Sequence, residues 1–416
     1  MKFQGVKGAR DWYPEDRATF NWMANAFRQM AVKYGFLEVE SPAIESLALL
    51  CEKEGEEIRQ QIFTLEKKGS EQLGLRFDLT IPMARMFITK QKELPKPVKW
   101  FNIGRMWRYE APQKGRLREF YQFGVEIFGS DKPETDAQII SLIIDSFQAL
   151  GLTSKDFYVK LNNRNLLQGI LESFGIGNIA DVMTVIDKMA KISEEEFVAE
   201  LEKLKLSQTQ IKKLDQTLKL RDLKQLRDLN ELAQQGKGEL LNVLDLLEDR
   251  QEFIQVDLTV ARGLAYYTGT VFEVYDRAGK YRALAGGGRY DQMVKLFGGE
   301  PCSATGFGVG FATLGLLLDE KMLIPEPDVR VDYYVAPIKD DPKVIMLANT
   351  IAAKLRKDFR VDVDLMRRSM SKQFEYATKI KAKNVIIVGD NELKTGVVTV
   401  KNLETGKEEK KKIALL

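Results

Sequence analysis

The most informative feature of this 416-residue sequence is an absence, because the chain contains no histidine. Without an imidazole, the protein cannot use a Ser/His or Cys/His nucleophile pair or a histidine metal ligand. It also has no side chain whose ordinary pKa lies between about 5 and 8. Any catalysis by this chain must therefore depend on positioning and on electrostatic stabilisation.

Other shortages narrow the class of protein further. The two cysteines, Cys51 and Cys302, are too few for a disulfide framework or a thiolate zinc site, which favours a reducing compartment. No stretch approaches about 18 consecutive apolar residues, and the N-terminus has no apolar signal core, so we expect a cytoplasmic protein without a membrane span. Lys and Arg total 63 against 60 acidic residues, so any anionic partner has to be bound by a local cluster of cations.

The order of strand and helix signals predicts two domains of α/β (α+β) class. Residues 1–325 alternate strand and helix patterns around an interruption at about 166–245, which is rich in Leu, Lys, Glu and Gln and has helical periodicity. A helical insertion with solvated charged faces is favoured there over a coiled-coil partner site. After IPEPD, residues 329–416 alternate strands and helices again, which predicts a separate α/β domain.

A hairpin rich in arginine is predicted around residue 110. The segments VKWFNIGRMWRYE and REFYQFGVEIFG have strand patterns and are joined by APQKGRL. Alternation along a strand places Arg108 and Glu110 on one face, and Arg116 and Arg118 on one face of the return strand. From these residues alone, a solvated ladder of paired charges and a surface that binds an anionic ligand fit equally well.

This hairpin resembles motif 2 of the class II aminoacyl-tRNA synthetases, most closely that of the histidyl-tRNA synthetases. RFDLTIPMAR, EAPQKGRLREFYQFGVE, ARGLAYYTGTVFEVYD and AGGGRYD occur in that family's order and approximate spacing. RGLxYYTG together with GGGRYD is a specific pairing, whereas GFGVG alone would be weak evidence. The resemblance implies a class II catalytic domain over 1–325, with an antiparallel sheet and flanking helices, and an anticodon-binding domain over 329–416.

The activity that the resemblance implies is ligation of L-histidine to its tRNA in two steps, ATP-dependent formation of histidyl-adenylate and transfer to the tRNA 3′ end. The substrate carboxylate is itself the nucleophile, so an enzyme without histidine is chemically reasonable. ATP with Mg²⁺ is expected, with no metal held by the protein alone. A homodimer is expected because Pro42 in EVESP matches the end of the family's motif 1 strand.

An alternative function stays open at this point. The chain could be a non-catalytic histidine sensor similar to the regulatory subunit of ATP phosphoribosyltransferase. Those relatives generally end after the catalytic-like domain, whereas residues 329–416 resemble an anticodon reader. The C-terminal segment therefore favours the ligase.

The resemblance also assigns roles to single residues. The implied catalytic cations, beside the reacting carboxylate and α-phosphate, are Arg108 and Arg262. The implied ATP contacts are Arg108, Glu110 at the adenine amino group, and Arg116. The implied histidine-binding residues are Asp78, Thr80, Gln122, Glu126, Arg262, Tyr266 and Tyr267. The implied tRNA contacts are Lys114 and Arg118 in the hairpin and Arg367, Arg368 and Lys372 in the C-terminal domain.

Within the implied histidine pocket, different groups bind different ends of the substrate. Asp78 and Thr80 hold the α-amino group, and Gln122 lies at the carboxylate end. Glu126 and Tyr267 recognise the imidazole, since a buried acceptor aimed at a ring N–H rejects isosteres that lack it. For Tyr266, which would face away, a place in the aromatic core is the favoured reading.

The sequence also departs from the family pattern. Ala312 and Thr313 stand where motif 3 commonly has a Glu-Arg pair whose arginine binds the γ-phosphate of ATP. Ala265 replaces a usual aspartate, and Tyr121 and Tyr275 stand where relatives often have histidine. The contact of the motif 3 arginine with the γ-phosphate therefore has no counterpart at position 313.

Overall fold

The computed structural model describes residues 3–52, 56–189, 192–261, 267–328 and 330–415. The chain divides into two compact units, of which the first comprises Met1–Asp11 and Thr19–Pro325 and the second comprises Trp12–Ala18 and Glu326–Leu416. Over the described ranges, none of the helices has the length and apolar character needed to cross a membrane.

The first unit contains most of the helices and strands. In chain order, the elements before residue 326 are α1 (Pro14–Lys33), β1 (Leu37–Glu38), β2 (Ile44–Ser46), α2 (Leu47–Cys51), α3 (Glu56–Gln61), β3 (Leu73–Leu75), α4 (Thr80–Thr89), β4 (Val98–Trp107), β5 (Glu119–Phe128), α5 (Pro133–Gln148), β6 (Phe157–Asn163), α6 (Arg164–Ser173), α7 (Ile179–Lys188), α8 (Glu194–Lys203), α9 (Gln208–Leu218), α10 (Glu231–Asp245), β7 (Ile254–Val256), β8 (Thr270–Asp276), β9 (Ala285–Arg289), α11 (Met293–Leu296), β10 (Ala304–Gly310) and α12 (Phe311–Glu320).

An eight-stranded sheet forms the centre of this unit, in the order β1-β4-β5-β10-β9-β8-β6-β7. Its pairings are antiparallel except for two parallel pairings at the edges, β1 with β4 and β6 with β7. The predicted antiparallel sheet and the β4–β5 hairpin are confirmed. Strand β10 lies between β5 and β9, so the middle of the sheet joins segments that are far apart in the sequence.

Helices cover both faces of this sheet. Side chains alternate between the two faces along each strand, so each strand contacts helices on both sides. On one face, Phe27 of α1 lies 5.0 Å from Phe123 of β5 and 6.0 Å from Phe147 of α5, measured between ring centroids. On the other face, Phe87 of α4 stacks on Phe128 of β5 at 4.4 Å. The residues of β5 at even positions therefore face α4.

The region predicted to be a helical insertion is helical, from α6 through α10. Two of its helices begin with a capping box, in which Ser193 accepts from the backbone of Glu196 and Ser207 accepts from that of Gln210. Such caps satisfy amide donors that a helix cannot satisfy internally. The charged sequence of this region thus encodes short helices, two of which begin with a capping box.

The second unit has its own five-stranded sheet. Its elements are β11 (Tyr333–Pro337), α13 (Pro342–Leu355), β12 (Val361–Val363), α14 (Met370–Lys379), β13 (Asn384–Val388), α15 (Asp390–Thr395), β14 (Val397–Asn402) and β15 (Glu408–Lys412). The strand order is β12-β11-β13-β14-β15, parallel for the first three strands and antiparallel for the rest. Val335, Ile351 and Ile386 are fully buried in its core. The predicted α/β character of this segment is confirmed.

Candidate active site

A strip of bare backbone crosses the middle of the large sheet on the face that α4 covers. Glu126, Gly306 and Gly288 are direct cross-strand neighbours on β5, β10 and β9. A Cβ atom on Gly306 would lie 1.8 Å from Oε2 of Glu126, and one on Gly288 would lie 3.0 Å from Cδ1 of Tyr267. We call Gly306 and Gly288 the glycine seam. The Glu126 carboxylate therefore lies directly over Gly306, and the Tyr267 ring lies close to Gly288.

Glu126 is fully buried at one border of the glycine seam. Neither of its carboxylate oxygens has a hydrogen-bond partner in the part of the chain that the structure describes. Burial raises the pKa of Glu126 well above its ordinary value, and the nearby Asp78 carboxyl raises it further; the Thr80 hydroxyl opposes the shift without completing a hydrogen bond. Burying a carboxyl without a partner costs several kcal/mol, roughly, so this site is built for a ligand that supplies the missing donor.

Tyr267 borders the other side of the glycine seam. Its side chain is 6% exposed, and its ring meets that of Tyr290 edge-on at 6.4 Å. Gly288 beneath it has a φ of +153°, a backbone conformation that side chains rarely adopt. The ring is therefore held in place by the core while its edge lies beside the seam.

The start of α4 lies over the same face of β5. A Cβ on Gly124, which is two residues from both Gln122 and Glu126, would lie 2.9 Å from a methyl carbon of Leu79. This contact places the helix start, and with it Asp78, next to the side chains of the even-numbered residues of β5. Gln122, half-buried, belongs to that row.

Asp78 precedes α4 and accepts a hydrogen bond at Oδ1 from the backbone N–H of Ile81, at 3.2 Å. Burial raises the pKa of Asp78 to about 6, although the Arg108 guanidinium and the Ile81 N–H both oppose that shift. Both Arg108 and Glu126 are thus close enough to interact electrostatically with Asp78, and Thr80 is close enough to influence the pKa of Glu126. The structure brings these four predicted residues together.

Arg108 has an open guanidinium fork beside this carboxylate pair. Its Nε donates to the backbone oxygen of Phe77 at 2.9 Å, and its guanidinium carbon lies 5.4 Å from the centre of the Phe120 ring. Among the described residues, no carboxylate lies within 4.0 Å of it and its two Nη atoms donate no hydrogen bond. A fork fixed at Nε and free at both Nη atoms can bind an oxyanion bidentately.

Glu110 reaches the site by a different route from the predicted one. Strand β4 ends at Trp107, so Arg108 and Glu110 lie beyond the strand, and the alternation argument for that pair is wrong. The hairpin instead turns at Gly115, and Nε of Arg116 comes back to 2.8 Å from Oε2 of Glu110. An ion pair therefore sets the position of the Glu110 carboxylate, which is 12% exposed.

Arg118 and Lys114, the predicted tRNA contacts of the hairpin, differ in their surroundings. Arg118 donates from Nε to the backbone oxygen of Glu110 at 3.0 Å and places its guanidinium 4.1 Å from the centre of the Tyr109 ring. Its backbone N–H donates to Gly8 at 2.8 Å. Lys114 is exposed at the turn. Arg118 thus braces the hairpin, while Lys114 is the more available cation.

Sequence reasoning missed an arginine that meets the tip of the hairpin. Nη2 of Arg282 donates to the backbone oxygen of Gly115 at 2.7 Å, and its Nε donates to the hydroxyl of Thr313 at 3.4 Å. The side chain is exposed, yet loss of solvation lowers the pKa of Arg282, as does the positive charge of Arg116. The only signal in the sequence is its position just before the glycine-rich strand β9.

Two predicted residues, Arg262 and Tyr266, lie outside the described residues, so their predicted roles stay predictions. Over the ranges that the structure does describe, no group of three or more cysteine, aspartate or glutamate side chains is arranged to hold a metal ion.

The second unit carries the remaining predicted contacts at the start of α14. Nη1 of Arg368 donates to Oδ1 of Asp364 at 2.6 Å, and its guanidinium lies 4.2 Å from the centre of the Tyr376 ring. Arg367 pairs with Asp340. A cleft of about 510 Å³ at this position is lined by Met366, Arg367, Arg368, Ser369, Lys372, Glu375, Tyr376 and Lys379. It is a basic cleft with an aromatic wall.

Comparison with known proteins covers both units. Residues 8–314 match the family model described as histidyl-tRNA synthetase, and residues 332–416 match the one described as an anticodon binding domain. A histidine--tRNA ligase of Haloarcula marismortui is 38% identical over 420 residues, which cover 98% of this chain and 95% of the relative. One of Pyrococcus horikoshii is 38% identical over 414 residues, covering 97% and 95%. The crystal structure of histidyl-tRNA synthetase from a Nostoc species covers 100% of this chain and 98% of its own, with a TM-score of 0.82 and 25% identity.

Proposed function

Because this chain belongs to the histidyl-tRNA synthetase family, we propose that histidine and ATP react over the glycine seam, and that the product is then transferred to tRNA. The chain is a histidine--tRNA ligase of class II, since curated ligases match it over nearly its full length and its catalytic and anticodon-binding segments both match. The histidine-sensing alternative is less supported by these relatives. The observation that carries the site assignment is the buried Glu126 carboxylate, which has no partner in the described structure.

Histidine is recognised at its two ends. The α-ammonium group is bound by the carboxylate of Asp78 and the hydroxyl of Thr80, at the start of α4. The imidazole lies on the glycine seam and donates a ring N–H to Glu126, with Tyr267 on its other side. Gln122 lies toward the substrate carboxylate. In support of this orientation, Glu126 is the deepest acceptor, and a ring N–H would remove its desolvation penalty.

Activation joins the histidine carboxylate to the α-phosphorus of ATP. A carboxylate oxygen forms the new P–O bond while the bond from the α-phosphorus to pyrophosphate breaks, so no enzyme group has to donate or accept a proton. Arg108 holds the α-phosphate with its two Nη atoms, and Arg262 supplies the second positive charge. Glu110 accepts a hydrogen bond from the adenine amino group, and Arg116 contacts the phosphates. Preorganised cations of this kind stabilise the charge that builds up in the transition state.

Mg²⁺ enters the site as part of the ATP substrate. The described residues offer no cluster of carboxylates for a metal ion, while Mg²⁺ in nucleotide sites commonly has phosphate and water ligands and few protein ligands. The ion neutralises part of the phosphate charge, and the arginines neutralise the remaining part.

The tRNA is bound at two places. Lys114, with the Nη atoms of Arg118, lies where the hairpin would meet the acceptor end. Arg367, Arg368 and Lys372 in the second unit contact the anticodon arm, where Tyr376 offers a ring for stacking. A near-neutral protein gains RNA affinity through such local clusters.

The assembly that we propose is a homodimer in the cytoplasm. Leu37 of β1 and Ile44 of β2, on either side of Pro42, leave 68% and 46% of their surfaces exposed. Exposed apolar side chains next to a sheet edge are typical of a subunit interface.

The function is tested by pyrophosphate exchange with each of the twenty amino acids. Exchange is expected with histidine and Mg²⁺ and at background level with the other nineteen. Glu126→Gln should weaken histidine-dependent exchange at least tenfold, because the uncharged amide oxygen of glutamine is a weaker acceptor for the ring N–H than a carboxylate oxygen. Lys372→Ala is the matched control, since it should lower aminoacylation of tRNA and leave exchange unchanged. Exchange that is independent of histidine would contradict the proposal.

A further inference from the structure

The tip of the hairpin is fastened to the start of α12 by one arginine and one threonine. Arg282 donates to the oxygen of Gly115 at 2.7 Å and to Oγ1 of Thr313 at 3.4 Å, and Thr313 Oγ1 itself lies 3.3 Å from the same Gly115 oxygen. A Cβ on Gly115 would lie 3.2 Å from Leu316 of α12. The Arg282 guanidinium is therefore fixed at the place where the hairpin, β9 and α12 meet.

Positive charge in this corner exceeds negative charge. Arg282 feels the positive charges of Arg116 and Arg108 and the negative charge of Glu110, and the Glu110 carboxylate is already paired with Arg116. Within the described residues, no carboxylate lies within 4.0 Å of Arg282. Three guanidinium groups thus share a single carboxylate, and the Arg282 side chain is exposed to solvent. Such a cluster fits a ligand with several negative charges.

We propose that Arg282 binds the terminal phosphates of ATP and replaces the arginine that the family usually places at the position of Thr313. This proposal rests on the proposed function, since it assumes that ATP lies along Arg108 and Arg116. Arg108 binds the α-phosphate, and the β- and γ-phosphates extend past Arg116 toward Arg282. The hydroxyl of Thr313 accepts a hydrogen bond from Arg282 and so positions the guanidinium that takes the place of the motif 3 arginine.

Arg282 is then a substrate-binding residue for the β- and γ-phosphates and has no contact with adenine or the α-phosphate. The competing role is mechanical: Arg282 would only hold the hairpin tip, and its loss would disorder Glu110 and Arg116 together. The two roles predict different nucleotide dependence. A phosphate contact matters for ATP and not for AMP, whereas a loosened hairpin weakens the binding of both.

The test measures the dissociation constants of ATP and AMP by calorimetry for the full chain and its Arg282→Ala variant. ATP binding is expected to weaken at least tenfold, and AMP binding to stay within about twofold. Arg282→Lys keeps a donor for the Gly115 oxygen but loses the planar fork, so its ATP affinity should lie between those of the parent and the alanine variant. Adding Thr313→Arg to the Arg282→Ala variant should restore part of the ATP affinity.

Lys280→Ala is the matched control, because Lys280 is an exposed cation on the same connection, paired with Glu320. Its ATP affinity should equal that of the parent. Equal weakening of ATP and AMP in Arg282→Ala, or no change in either, would overturn the assignment. The parent and the Arg282 variants could show these ATP and AMP affinities while the parent shows no histidine-dependent exchange. In that case the proposed function fails and the phosphate contact of Arg282 stands.

Discussion

The protonation of Asp78 should control how well the enzyme binds the amino group of histidine. A carboxylate attracts an ammonium group, whereas a protonated carboxyl does not, so only the ionised form of Asp78 is competent. Its ordinary pKa of 3.8 is raised to about 6 by burial. The protonated form therefore accumulates at a pH where an exposed aspartate would be fully ionised.

The expected size of the effect follows from that value. With a pKa of about 6, the ionised fraction of Asp78 is about 90% at pH 7 and about 10% at pH 5. The kcat/KM for the amino acid, which reports on the free enzyme, should therefore fall about tenfold from pH 7 to pH 5. An aspartate at its ordinary value would lose only about 6% of its ionised fraction over that range.

The assay needs an amino acid whose own ring does not titrate, because free histidine has an imidazole pKa near 6.5. Triazolylalanine, whose ring stays neutral at these pH values, serves this purpose in pyrophosphate exchange. Asp78→Asn is the matched variant: its kcat/KM should be about 10- to 100-fold lower at pH 7, from loss of a charge-assisted hydrogen bond, and its profile should lack the inflection near pH 6. Any pH dependence that remains then belongs to Glu126, whose pKa is also raised by burial. A flat parent profile with the analogue, or an Asp78→Asn profile that keeps the inflection near pH 6, would refute the assignment of Asp78 to the ammonium group.

The stability of the fold gives an independent check, because ionisation of Asp78 should favour histidine binding but destabilise the folded protein. A carboxyl whose pKa is raised in the folded state binds its proton more tightly there than in the unfolded chain, so its ionisation destabilises the fold. The destabilisation by Asp78 is absent below about pH 3.8 and complete above about pH 6. Without ligands, Asp78→Asn should thus gain in melting temperature relative to the parent as the pH rises through that window.

Two further predictions concern the missing imidazole and the assembly. Tyr121 accepts a hydrogen bond from Nε of Arg105 at 2.8 Å, and its ring lies 4.2 Å from that of Phe20, on the face of β5 opposite to Gln122. Tyr121→His should therefore change histidine activation less than tenfold, and a hundredfold gain with a new inflection near pH 6.5 would show that an imidazole at this position takes part. Sedimentation at micromolar concentration should give twice the chain mass of 47.4 kDa, and an active monomer would contradict the dimer.

Local patterns in the sequence predicted the elements better than their partners. The β4–β5 hairpin was predictable because its strands are adjacent in the chain and alternate around a Pro-Gln-Lys-Gly turn. The insertion of β10 between β5 and β9 was not, because the pairing of Gly306 with Glu126 joins residues 180 positions apart and no local periodicity encodes it. The family resemblance supplied the candidate Glu126, while its burial without a partner emerged only from the structure.

The same limit explains Arg282. Its sequence neighbours, KYRALAGGG, indicate a loop before a strand and nothing about phosphate. Its importance comes from the hairpin tip at Gly115 and from Thr313, which reach it from either side through the order of the strands. The prediction that Arg108 and Glu110 share a strand face was wrong for a related reason, since β4 ends at Trp107 and the ion pair with Arg116 takes over.

The glycine seam limits how this protein can change during evolution. Any substitution at Gly306 adds at least one carbon atom 1.8 Å from Glu126, and one at Gly288 also meets a backbone conformation that disfavours side chains. Mutations there would displace the Glu126 carboxylate or the Tyr267 ring, so these positions offer no gradual route to another amino acid. New specificity has to arise from the walls, at Glu126, Tyr267 and the start of α4, where side chains can be exchanged one at a time.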